Sequence, residues 1–168
     1  MKHKEERRVL DDAMGLFPSG HYLMTAGFDG QRSGMLVERV MRCSDEPFLL
    51  CVAARKGHKI DPMIRDSRCF ALGVVGEDDR LIRRRFSRSD SVPSEFGPVG
   101  EDDPFDAIEV RTLVTGSPMI KRCGIWFDCE VLRRVDLESE TEMLVGLVLG
   151  LVVDGAEYRF NRPDESAG

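Results

Sequence analysis

At 168 residues, with 42% hydrophobic and 32% charged side chains, the chain fits a single domain spanning 1–168 around a sizeable core, and its composition excludes a disordered or fibrous protein. A formal net charge of −6 excludes a general nucleic-acid binder, whose affinity rests on Lys and Arg neutralising phosphates. The longest apolar run, MLVGLVLGLVV at 143–153, falls short of the roughly 20 residues that a membrane helix needs, and the charged start MKHKEERRVLDD carries no signal-peptide core, so a cytoplasmic location is expected.

Residues 4–17 predict a helix, with Val9, Leu10, Ala13, Met14, Leu16 and Phe17 near one face and most charges on the other. Pro18 and Gly20 end it. A strand follows over 22–28, and Asp29-Gly30 signals a tight hairpin turn. Residues 34–43 alternate imperfectly as one strand with charges on both faces, and Ser44-Asp45-Glu46-Pro47 predicts a turn into the apolar strand 48–54. Asp61-Pro62 suits a helix start, with Asp as cap and Pro at a helical φ, for a short helix over 61–67.

The segment CFALGVV at 69–75 reads as a buried strand. Glu77-Asp78-Asp79 and Arg83-Arg84-Arg85 then place acids at the start and bases at the end of a helix, which complements its dipole and accounts for the triple arginine without a ligand, with a phosphate or nicotinamide-nucleotide role as the alternative. Residues 87–106, with three prolines and two glycines, form the longest loop, and loops of that length in compact domains are usually mobile or functional. Strands are expected over 108–114 and 124–135, and a last hairpin over 143–153 and 157–160. Strands in adjacent pairs with short connecting helices predict a mainly β domain, a small barrel with helical additions. Because the run at 143–153 is apolar on both faces of its strand, a helix or second subunit is expected to cover its outer side.

Five cysteines (Cys43, Cys51, Cys69, Cys123, Cys129) without C-x-x-C spacing, mostly in apolar runs, are expected to be reduced, buried thiols. His3, His21 and His58 are too scattered to suggest a metal site, and no H-E-x-x-H, G-x-S-x-G or P-loop occurs. One sign inversion stands out. Residues 34–60 hold five bases (Arg39, Arg42, Arg55, Lys56, Lys59) against three acids, a balance of +2 in an acidic chain. A basic, glycine-containing loop leading from a strand into a helix is a place for an anion.

The order Phe17-Pro18-Ser19-Gly20, Gly34-Met35, the acidic-Pro turn, the basic loop, Met63-Ile64-Arg65-Asp66-Ser67, Arg84-Arg85-Phe86, Gly124 to Val131 and Leu144-Val145-Gly146 resembles the flavin reductase-like family, the FMN-binding split barrels. The resemblance implies a split β-barrel homodimer with two flavin sites at its interface, and a loop at 87–106 that borders the outer face of the flavin and is the candidate lid. It implies FMN, or FAD, as cofactor, NAD(P)H as co-substrate and an oxygenase as acceptor of reduced flavin. Carried onto this chain, it places the isoalloxazine against Leu36, Val37, Glu38, Arg39 and Val40 and near Ala53 and Ala54. The phosphate falls to Arg55, Lys56, Gly57, His58 and Lys59, with Arg39 as a further cation. Hydride chemistry of this kind needs no protein nucleophile. The sequence departs from the family's hydroxyl-rich T-x-S-S at Leu36-Val37-Glu38-Arg39, from its Asp-His pair at Glu140-Thr141, and from its Glu at Leu147. Three readings follow: a flavin reductase, a flavoprotein of the same fold with another electron donor or acceptor, and a split barrel that has lost flavin and serves as an interaction module.

Overall fold

The computed structural model describes residues 2–87 and 103–163. Most of the expected lid, 88–102, lies outside the described residues. The helix α1 (Lys2–Met14) precedes β1 (Tyr22–Phe28), β2 (Gln31–Val37), β3 (Arg39–Asp45) and β4 (Phe48–Arg55). Then come α2 (Ile60–Ser67), β5 (Cys69–Val74), α3 (Arg80–Ser87), the two-residue β6 (Val110–Arg111) and β7 (Met119–Ile120), and the long β8 (Ile125–Asp136), β9 (Thr141–Val153) and β10 (Ala156–Arg159). The main sheet is antiparallel in the order β2-β1-β5-β8-β9-β4-β3, with β10 beside β9. Among the described residues no helix is long and apolar enough to cross a membrane.

The two edge strands, β2 and β3, are consecutive in the chain and separated by one residue, Glu38. Residues from both edges meet in one core, with Met35 and Val37 of β2 and Val40 of β3 packed in the cluster that holds Val52 and Ala54 of β4 and Leu144 of β9. The sheet therefore curls, and α2 adds Ile60 and Ile64 to that inner core. Alternate residues point outward. Leu23 and Ala71, neighbours of the inward Met24 and Leu72, belong to a second cluster with Ile82 and Phe86 of α3, Phe105 and Trp126. A period of two thus sorts β1 and β5 between an inner core and a layer beneath α3.

Several expectations need correction. The strand expected over 34–43 is two strands broken at Glu38, whose carbonyl accepts the Gly20 amide at 3.0 Å. The strand expected over 108–114 is reduced to Val110–Arg111, because the Val114 and Thr115 amides donate to the buried Asp128 carboxylate instead of to a ladder. In α1 the apolar residues Val9, Leu10 and Met14 are exposed, so a helical pattern exists there without a surface to cover it within this chain. Asp61 is not the cap of α2; it sits in the first turn and accepts the Gly57 amide at 2.6 Å. The first turn of α3 holds no acid: Asp79 precedes it and caps it, accepting the Ile82 amide at 3.2 Å.

The cysteines divide. Cys43 and Cys51, one on each strand of the β3–β4 hairpin, form a disulfide where thiols were expected, and Cys69, Cys123 and Cys129 are free. The apolar run in β9 is covered by its own chain over much of its length: Leu147, Val148, Leu149 and Val152 are buried. Met143 and Val145 at one end and Leu151 and Val153 at the other are half-buried, so the expected need for an outside cover applies only to the two ends of the run.

Candidate ligand site at the β2–β3 break

The break at Glu38 gathers most of the residues expected to hold a ligand. Antiparallel pairing sets Arg39 opposite Ala53 and Val40 opposite Val52, so the start of β3 lies beside the end of β4. Val37, Val40 and Ala54 pack toward the inner core, and they offer a ligand only their backbone. Leu36 packs on the outer layer. Ala53 and Arg55, out of phase with the buried Ala54, face outward with Arg39, the cross-strand partner of Ala53. Leu36, Arg39, Ala53 and Arg55 thus share the outer surface of the curled sheet.

The basic loop 55–59 shows two kinds of behaviour. Arg55 and Lys59 are exposed, as is Arg39, and none of the three is paired with a carboxylate among the described residues. The others are tied down. The Lys56 ammonium pairs with Asp136, and its amide donates to the Glu140 carbonyl at 2.9 Å. This contact and the Glu138 amide hold the Asp136 carboxyl below the usual range. His58 is buried, and its Nδ1 accepts the Ile60 amide at 3.1 Å, supporting the start of α2. Gly57 takes a φ of 78°, in the left-handed region that favours glycine, and the space where a side chain would project is open. Beneath the loop, Arg134 holds the buried Glu142 carboxylate through two hydrogen bonds at 2.6 and 3.2 Å.

A cavity of about 750 Å³ opens on the other side of the break, lined by His21, Tyr22, Leu36, Val37 and Glu38 against Arg80, Leu81, Arg83, Arg84 and Ser87 of α3. None of residues 55–59 lines it. The structure therefore splits the expected site, with Leu36 to Glu38 on the cavity wall and Arg39, Val40, Ala53, Ala54 and the basic loop beyond it. Of the triplet Arg83-Arg84-Arg85, for which the sequence left a phosphate or nicotinamide-nucleotide role open, Arg83 and Arg84 line this wall and Arg85 does not, while Arg80 joins it unexpected. The signal was present in the spacing, since Arg80, Arg83, Arg84 and Ser87 recur at i, i+3, i+4 and i+7 opposite the buried Ile82 and Phe86.

The three free thiols all hold their protons more tightly than an ordinary cysteine. Desolvation, aided by Asp128 and Glu130, pushes the Cys69 thiol up to about 11. Burial and Asp79 do the same for Cys123, also to about 11, and burial raises Cys129 well above the ordinary thiol value. Among the described residues no three His, Cys, Asp or Glu side chains cluster as metal ligands. The chemistry open to this site is the binding of an anionic, partly apolar molecule by exposed cations, backbone groups and an apolar wall.

Fold and site together define a mainly β domain with short helices and cations on both sides of a strand break. The family description "Flavin reductase like domain" matches residues 14–162, and the chain belongs to that family. It is 26% identical to a flavin reductase of Pseudomonas putida over 145 residues, 86% of this chain and 78% of that protein. It is 30% identical over 129 residues to a putative diflavin flavoprotein A 2 of a Synechocystis species, covering 76% of this chain but only 21% of that protein. The chain thus spans about a fifth of the length of such relatives. Among solved structures, nitrilotriacetate monooxygenase component B from Mycobacterium thermoresistibile superposes with a TM-score of 0.70 at 20% identity, covering 99% of this chain and 92% of that one.

Proposed function

We propose that the chain is a flavin reductase-type flavoprotein that binds FMN, or FAD, and takes electrons from NAD(P)H. The observation that carries this reading is the set of cations without carboxylate partners among the described residues, Arg39, Arg55 and Lys59, beside the outward Ala53 in a chain matched to the flavin reductase-like family over residues 14–162. A phosphomonoester carries about −1.5 to −2 charge at pH 7 and seeks such groups. Arg39, Arg55 and Lys59 would hold the phosphate, while Lys56, Gly57 and His58 shape the loop through their own ties to Asp136, Asp61 and α2. Leu36 and Ala53 would meet the ring system, and the backbone of Val37, Glu38, Val40 and Ala54 its polar edge. When bound, the flavin supplies a hydride acceptor and a carrier for onward electron transfer. The protein's own residues bind, orient and exclude water, so the raised thiols take no part.

The curled sheet is read as a split barrel and the working unit as a homodimer. An apolar strip on the outer face supports the second point: Met143 and Val145 of β9 are half-buried, flanked by Val135, 39% exposed, with Met41 nearby at 60%. An oxygenase component is the proposed acceptor of the reduced flavin, in a cytoplasmic setting.

The test is the absorption spectrum of the purified protein before and after addition of FMN, followed by NAD(P)H oxidation with and without flavin. A bound-flavin band and flavin-dependent oxidation are expected. Arg39→Ala and Arg55→Ala should each weaken FMN binding about 10- to 100-fold, since a charge-assisted hydrogen bond contributes about 1.5–3 kcal/mol. No flavin band at saturating FMN would instead favour the interaction-module reading. A flavin band without NAD(P)H oxidation would favour a different electron donor.

A further inference from the structure

The proposed flavin cradle leaves a second group of cations unused. Arg80, Arg83 and Arg84 form one row on α3 and all line the cavity. The opposite side of the helix is anchored, with Ile82 and Phe86 at 0% and 1% exposure, and Asp79 holds the helix start through the Ile82 amide and Arg122. The row is therefore fixed in its aim at the cavity. Arg83 is distinctive, because its Nε and Nη2 are buried with no hydrogen-bond partner among the described residues. A guanidinium keeps its charge and offers five donors, and donors held dry are satisfied best by a group with several acceptor oxygens.

Charge narrows the class of ligand. Three guanidiniums against the single carboxylate of Glu38 leave an excess of +2 on the cavity wall, counting His21 as neutral (3 − 1 = 2). That matches a phosphomonoester, at about −1.5 to −2, better than one phosphate of a diester chain. Tyr22, Leu36 and Leu81 supply apolar wall beside it, and about 750 Å³ accommodates a nucleotide portion. The FMN phosphate is already assigned to the far side of the break, by Arg39, Arg55 and Lys59. We propose that the Arg80–Arg83–Arg84 row is a second phosphate subsite that takes the 2′-phosphate of NADPH, so that the chain selects NADPH over NADH. The identity of the nucleotide rests on the reductase reading; the phosphate subsite rests on the cavity alone.

The experiment is calorimetric binding of 2′,5′-ADP and of 5′-AMP, which differ only by the 2′-phosphate, to the full chain with FMN at saturation. In the unaltered protein 2′,5′-ADP should bind at least tenfold more tightly. In Arg83→Met, checked for folding by thermal unfolding, the ratio should fall below threefold, and the ratio of kcat/KM for NADPH over NADH should fall with it. Arg84→Gln, an exposed change on the same row, is the second variant and should lower the ratio severalfold. Equal affinity for the two nucleotides in the unaltered protein overturns the proposal. So does a ratio that survives Arg83→Met, or FMN binding that weakens tenfold in that variant while nucleotide selectivity persists, which would give the row to the flavin tail. Selective binding without flavin-dependent NADPH oxidation would sink the reductase reading and leave the subsite standing. Equal oxidation of NADH and NADPH with equal binding of the two nucleotides would do the reverse.

Discussion

Asp128 shows how one residue decides a local architecture. It is fully buried and accepts the amides of Val114 and Thr115, at 2.7 and 2.9 Å, and the Thr115 hydroxyl. Asp128→Ala would strand these donors at about 1–3 kcal/mol each, which a urea unfolding series should register as a large drop in midpoint. The same residue helps raise the Cys69 thiol. At pH 8 the native protein should therefore leave Cys69, Cys123 and Cys129 almost unlabelled by iodoacetamide over times that label the unfolded chain. Rapid native-state labelling of any of the three would contradict the burial described. At this scale the sequence was a partial guide. The cations of the basic loop were legible from local charge, but which of them are tied down was not. Lys56 meets Asp136 across 80 positions, and sequence proximity carries no trace of such a contact.

Among the elements, α3 and β2 are coupled by a close approach. A side chain added at Gly34 would come within 2.6 Å of the Phe86 ring. Gly34→Ala should therefore cost about 1–3 kcal/mol, as overpacking does, and push α3 away from the cavity wall. Paired measurements of melting temperature and nucleotide binding would detect it, and loss of neither would mean that the ring yields freely. Most elements were legible from pattern. The strand at 22–28, the Asp29-Gly30 turn with φ of 51° and 75°, and the long strands β8 and β9 lie within a residue or two of expectation. The failures share a cause. The break at Glu38 and the loss of strand at 108–114 are made by distant partners, the Gly20 amide and the Asp128 carboxylate, that outcompete the local ladder.

For the whole molecule, pH and association are the observables. Cys69 and Cys123 have folded values raised to about 11 from 9.0, so the folded state holds these protons more tightly than the unfolded chain. Their contribution to stability is complete below about pH 9 and is lost as pH rises toward 11, and an unfolding series between pH 8 and 11 should show stability falling. Proposed dimerisation predicts a solution mass of twice 18.9 kDa. Met143→Lys, on the outer strip, should shift sedimentation toward the single-chain mass while the absorbance and melting of the fold persist. A single-chain mass in the unaltered protein would remove the dimer from the proposal.

From the sequence alone came the mainly β class, the order of elements, the family and a basic segment suited to an anion. These depend on periodicity, turn chemistry and local charge, all written within short windows. Only the tertiary structure decided that the site is divided at Glu38, that a row of α3 arginines faces Leu36 across a cavity, and that Cys43 meets Cys51. Each of these depends on how a curled sheet brings its two edges together, and that closure is a property of many weak contacts between distant residues.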